Sequence, residues 1–316
     1  MSAVKTLLCL NRFFIYVAFQ PKWRMCYINS FFIFRMASDV LAALDLDKES
    51  LTGQFFLIKE MSGSEAHFIH SCLIAKQIKD QGSVCLVTLH NSFHHYHCVG
   101  QKMGYNLDKL KEAGTVKSVD CLSIVSDAVI SSNNADCTAY NKIIIDDLFD
   151  IVNDAVKSLL SKHPSVFLMI DDITGLLEMG YTIIEVNTFV QLCKSLIVSN
   201  DKCSIAVGVH VISESDSSFI LSGLVSHMSD VICEVSGFKT GRSRDVSGTL
   251  GVSRPWSSIS NNLVKLNTYH YKLFDRGIKV FAPGSNYKKR VFLIKIVYFF
   301  TLTPHSRLQT AGIVWR

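Results

Sequence analysis

Between Met36 and Ser285 the chain alternates two hydrophobic periods. Short continuous apolar runs at Gly53–Lys59, Ser83–Thr88, Ser165–Asp172, Ser204–Val209 and Val231–Val235 predict strands buried on both faces, as in the middle of a parallel sheet. Between them apolar residues recur at helical spacing. Ala66, Ile69, Cys72, Leu73 and Ile78 predict a helix over Glu65–Lys79, and a second runs over Ser92–Met103 to a stop at Gly104. Ile144, Leu148, Ile151, Ala155 and Leu159 form a stripe across Asn141–Ser161, which His163-Pro164 ends. Ile183, Val186, Val190, Cys193 and Ile197 mark another helix, and a last one lies near Phe219–Met228. Residues 105–140 carry a weaker pattern, with a short strand at Thr115–Val119 and a loop at Ser131–Ala135. Beyond Val235 come short strands at Thr249–Val252 and Tyr269–Leu273, and the turn signal Asp275-Arg276-Gly277 makes Tyr269–Ala282 a β-hairpin. The sum is an α/β fold: a twisted, mostly parallel sheet with helices on both faces and antiparallel C-terminal edge strands.

Ser165–Asp172, Ser-Val-Phe-Leu-Met-Ile-Asp-Asp, ends in two carboxylates. Ligands of open α/β sheets bind beyond the carboxyl ends of the strands, and in P-loop NTPases an acid here holds magnesium. The partner feature is missing. A phosphate-cradling loop needs small residues and a lysine after the first strand. Glu60-Met-Ser-Gly-Ser-Glu65 offers one glycine, Gly63, between Glu60 and Glu65, which would repel phosphate. The plan is that of a P-loop NTPase lacking its phosphate-binding loop. Asp171 and Asp172 then read either as magnesium ligands or as strand-end carboxylates spent on local hydrogen bonds.

The net charge of +5 over 316 residues misleads. Residues 1–35 carry five Lys/Arg and residues 286–316 carry six, both without an acid. The other 21 basic residues face all 27 acidic ones, so 36–285 stands at −6 and is no uniformly basic nucleic-acid coat. The first 35 residues are too poor in serine and periodicity for a targeting leader, and Asn11, Arg12 and Gln20–Arg24 interrupt any anchor. Both ends read as extensions foreign to the working protein, flanking a domain over 36–285. The apolar run Val291–Leu302 is too short to span a bilayer. The ten cysteines form no C-x-x-C pair, and Cys72, Cys85, Cys193, Cys203 and Cys233 sit inside apolar patterns, as buried thiols of a reducing compartment do.

Four of eleven histidines, His90, His94, His95 and His97, fall in eight residues beside Cys98. On a helix His90, His94 and His97 would share a face, as metal ligands do, but no carboxylate accompanies them, and surface histidines are the plainer reading. Lys239, Arg242 and Arg244 form the densest basic stretch of the core, a phosphate-contact candidate or a solvated hairpin. Ser213–Ser218 is a polar loop with two acids and four serines.

Taken together, Asn91–Gly104, Leu168–Gly180, Gly237–Leu250 and Tyr269–Gly284 resemble the Elongator complex protein 6 family, in order from about residue 40 to Ser285. The resemblance implies a RecA-like fold without a phosphate-binding loop, no cofactor and no catalysis by this chain. It implies a heterohexameric ring with Elongator subunits four and five, serving the Elongator catalytic core, binding tRNA and supporting wobble-uridine modification in the anticodon, in the cytoplasm or also the nucleus, away from membranes. Loops at the strand ends of such rings face the pore, so Gly180, Tyr181, Ser213, Ser215 and Ser217 become tRNA-facing candidates beside Lys239, Arg242 and Arg244. Gly63, Glu65, Asp171 and Asp172 become degenerate NTPase positions. Two other readings stay open: a divergent Mg-dependent NTPase using Asp171 and Asp172 with Glu65, and a protein-binding adaptor that touches no RNA.

Overall fold

The computed structural model describes residues 9–10, 13–14, 37–131, 144–238, 245–255, 266–275 and 277–285. A two-residue ladder, β1 (Cys9–Leu10) against β2 (Phe13–Phe14), is a sheet of its own. The core strands are β3 (Phe55–Met61), β4 (Ser83–Thr88), β5 (Val116–Asp120), β6 (Val166–Ile170), β7 (Cys203–Val211) and β8 (Val231–Ser236). β9 (Gly248–Ser253), β10 (Leu266–Phe274) and β11 (Gly277–Phe281) follow. These nine form one sheet in the order β11-β10-β9-β8-β3-β7-β6-β4-β5. Everything from β8 to β5 is parallel, and β9, β10 and β11 add antiparallel pairs at one edge. All the described residues belong to one unit, Met1–Ser285.

The central strands β3, β4, β6 and β7 form because most of their positions are apolar and both faces are covered, whereas β8 and β9 bury alternate positions. In β3 Phe56 and Ile58 turn to one cluster, with α1 (37–43), α2 (His67–Lys79) and Tyr96 of α3 (Phe93–Met103). Phe55 and Leu57 turn to the other, with α6 (Ile145–Leu160), α8 (Ile183–Ser199) and α9 (Ser217–Ser226). Each such side chain fully buried contributes roughly 1.5–3 kcal/mol against conformational entropy of comparable size. Helix ends follow local chemistry. Ser92 Oγ accepts the His95 N–H to start α3, Gly104 at φ +98° ends it, and a Thr182/Glu185 capping box opens α8.

Three details depart from the sequence reading. β3 runs on to Met61, so Glu60 is a strand residue and the following loop shortens to Ser62–Ala66. α6 turns Leu148, Val152, Ala155, Val156 and Leu159 inward, while Ile144 and Ile151 of the expected stripe are exposed. Both stripes fit a 3.6-residue period, and the flanking α8 and sheet select between them. α4 (Leu107–Glu112) and α5 (Cys121–Ser131) occupy much of the weakly patterned stretch, and of the loop expected at Ser131–Ala135 all but its first residue lies outside the described residues. No described helix is long and apolar enough to cross a membrane.

Candidate functional site

Parallel pairing of β3, β7 and β6 brings their carboxyl ends together. Glu60 stands in register with His210, and Asp171 follows Ile170 one strand further along. A small pocket opens there, closed from above by the first turns of α2 and by His90 beyond β4. It is the place a RecA-like fold uses for nucleotide.

The loop Ser62–Ala66 holds Gly63 at φ +80°, a conformation that favours glycine, but its polar side chain is spent: Ser64 Oγ donates toward the carbonyls of Met61 at 2.6 Å and Val235 at 2.9 Å. The N-terminus of α2 has no side-chain cap from Ala66. Glu60 supplies one from below. Its Oε2 accepts the Ala66 N–H at 2.6 Å, and Oε1 lies 3.0 Å from His210 Nδ1, with His67 Nε2 3.9 Å from Oε2. A helix N-terminus is where a phosphate would be held. In this chain the seat is taken by a carboxylate of the preceding strand. Glu65, the other acid of the loop, is exposed.

Asp171 is 2% exposed and acts as a backbone clamp. Its Oδ1 accepts the N–H groups of Leu89 at 2.7 Å and Asp172 at 2.8 Å, and Oδ2 accepts Asn91 at 2.7 Å and His90 at 3.2 Å. Asp172 uses Oδ1 for the N–H of Thr174 at 2.9 Å, the Thr174 hydroxyl, and the N–H of His210 at 3.3 Å. Burial pushes both acidities toward the neutral form, against these bonds, which favour the charged one. The carboxylates hold the β4–α3 and β6–α7 turns, where α7 is Thr174–Glu178. No group of three or more His, Cys, Asp or Glu among the described residues is arranged to hold a metal ion.

Two features close the pocket further. Gly208 sits in the middle of β7 because a Cβ there would lie 1.8 Å from the Asp171 carbonyl oxygen and 3.0 Å from His70 Cε1. His70, 2% exposed, fills the floor, and burial pulls its imidazole down to about 3. The remaining open space is about 20 Å³, the room of a single water molecule.

The remaining sequence candidates fall elsewhere. Tyr181 is 3% exposed and packed in the α6/α8 core cluster, so its ring cannot face RNA; the exposed member of that pair is Gly180. Ser213 and Ser215 are exposed at a loop tip, their hydroxyls 3.0 Å apart, but Ser217 and Ser218 belong to α9, which Asp216 caps. That cap shortens the expected loop. Lys239, Arg242 and Arg244 lie outside the described residues. The histidines diverge: His90 precedes α3 and, like His95, faces His67, whereas His97 lies 3.4 Å from Asp108. Sequence reading missed His67, His70 and His210. Gly208, a glycine inside an otherwise apolar strand, was the available sign of a close backbone approach.

A family model for "Elongation complex protein 6" matches residues 38–275. Elongator complex protein 6 of Homo sapiens is 28% identical over 251 residues, covering 74% of this chain and 92% of that protein. That of Drosophila melanogaster is 27% identical over 254 residues, covering 79% and 98%. Among solved structures, a KaiC-like protein of the archaeon Pyrococcus horikoshii superposes with a TM-score of 0.50 at 12% identity, over 73% of this chain and 90% of that one. That likeness is one of fold, and the fold is RecA-like.

Proposed function

The chain belongs to the Elongation complex protein 6 family, and from this we propose that it is a non-catalytic subunit of Elongator that assembles with subunits four and five into a heterohexameric ring. The ring binds tRNA and supports wobble-uridine modification by the Elongator catalytic core, in the cytoplasm with the nucleus as second compartment. The observation that carries the non-catalytic part is Glu60. With its carboxylate on the Ala66 N–H and no lysine in the loop, the strand-end site is not laid out to hold the phosphates of a nucleotide. The competing NTPase reading loses its basis at Asp171, whose oxygens already accept four backbone N–H groups.

Native mass spectrometry of the chain co-expressed with subunits four and five tests the assembly; a 2:2:2 complex is expected, and a chain indifferent to both partners overturns it. For the RNA contact, Arg242→Ala combined with Arg244→Ala should weaken tRNA binding by the intact ring and flatten its salt dependence. Unchanged binding would remove those two residues from the RNA surface.

A further inference from the structure

Away from the strand-end pocket, the histidines of α3 pair differently from the His90/His94/His97 face that the sequence suggested. His94 Nε2 lies 3.3 Å from Cys98 Sγ, one helical turn on, and both side chains are exposed. Residues four apart on a helix stand over one another. As a hydrogen bond between a thiol and an imidazole in water, the contact adds little stability. As a chelate it has the right dimensions. Zinc takes nitrogen at about 2.0–2.1 Å and sulfur at about 2.3 Å, so a span of 3.3 Å subtends about 100° at the metal, close to the tetrahedral angle.

A second contact holds the ring. His94 stacks on His97, with centroids 6.1 Å apart and planes inclined by 22°. His97 is 6% exposed and is itself fixed: its Nε2 lies 2.8 Å from Gln101 Nε2 and its Nδ1 3.4 Å from the Asp108 carboxylate. The Gln101 amide donates to Nε2, which places the His97 proton on Nδ1, toward Asp108. A fixed ring alongside limits the orientations open to His94, as an outer partner does for a metal-ligating histidine. The thiol is of the accessible kind. Cys85 and Cys233 are buried, and burial pushes both up to about 12, whereas Cys98 stands in solvent.

We propose that His94 and Cys98 form a two-point seat on α3 for a zinc-type divalent cation, with water completing the tetrahedron. Imidazole nitrogen and thiolate sulfur select zinc and cobalt(II) over magnesium and calcium, which take oxygen ligands. Binding is an exchange of cations without redox change: the thiol proton leaves to solvent as the metal–sulfur bond forms, and neutral His94 gives its Nε2 lone pair. With two protein ligands rather than the four of a structural zinc site, the ion stays exchangeable. The seat lies within one helix of this chain, so it does not depend on assembly with other subunits.

Cobalt(II) is titrated into the full-length reduced chain, and thiolate-to-cobalt charge transfer is read in the near ultraviolet, with zinc added afterwards as competitor. A saturable band that zinc abolishes is expected. Cys98→Ser should remove the band, and His94→Ala should keep it but weaken binding roughly tenfold or more. Both side chains are exposed, so both variants should fold as the parent does. No band at any cobalt level, a band that persists in Cys98→Ser, or equal affinity in the parent and His94→Ala overturns the proposal.

Discussion

Asp171→Asn distinguishes a structural acid from a magnesium ligand. The replacement is isosteric and puts an amide where two oxygens accept four backbone N–H groups. If the amide oxygen takes the Oδ1 position it keeps Leu89 and Asp172, and its NH₂ then faces the N–H groups of Asn91 and His90, donor against donor. His90 is exposed and Asn91 half-buried, so water takes up part of what these N–H groups lose and each costs about 1 kcal/mol, while the surviving bonds lose their charge assistance, about half their strength. Relief of the buried charge offsets part of this. The expected net loss is about 2 kcal/mol. Asp172→Asn is the internal control: Asp172 works through one oxygen, which the amide retains, so it should cost about 1 kcal/mol. Urea unfolding followed by fluorescence and circular dichroism measures both. Equal losses, or an Asp171→Asn protein within about 0.5 kcal/mol of the parent, would refute the clamp and return the residue to the ligand-binding reading.

His70 makes a pH prediction. Its folded pKa of about 3 lies below the ordinary 6.5, so between those values the unfolded chain takes up a proton that the folded chain refuses. Stability should fall on acidification through that window by about 1.4 kcal/mol per pH unit, a component that His70→Leu removes from the pH profile of unfolding. Gly208→Ala should cost more than about 3 kcal/mol or prevent folding, because the 1.8 Å approach is to Asp171 backbone and nothing flexible can yield; a soluble variant with a parental melting midpoint would contradict the packing. On α6, Leu148→Ala should cost about 2–5 kcal/mol and Ile151→Ala less than about 0.5 kcal/mol, and reversal of that order would restore the other stripe.

β4 and β6 were legible because buried parallel strands are continuously apolar, and the ranges expected for β4, β5, β6 and β8 fall within two residues of those observed. The face of α6 was not. Ile144 and Ile145 are both apolar, as are Ile151 and Val152, so periodicity alone could not say which pair meets the sheet. α5 escaped because Cys121–Ser131 is almost uniformly apolar or small, without an amphipathic stripe. At the site, Asp171, Asp172 and the missing lysine were readable, since each depends on a few adjacent residues. The Glu60–His210 pair was not, because it joins residues 150 positions apart through a strand order that no local pattern encodes. The same holds for His70 over Gly208.

That pair also changes what the loss of the phosphate loop means. In a nucleotide-binding subunit, ligand held at the first turn after the leading strand adds stability that follows ligand concentration through mass action. Here the same backbone N–H is satisfied by Glu60, a residue already fixed in β3, so no translational entropy is lost when the contact forms. The arrangement is therefore populated at every nucleotide level. Losing the lysine alone would have left an empty, mobile anion seat at the head of α2. Filling it with a carboxylate, tied on its other side to His210 of β7, makes the pocket a joint between β3, α2 and β7. A subunit whose task is to hold neighbours in a fixed geometry gains from such a joint, whereas one that cycled with ATP would be locked by it.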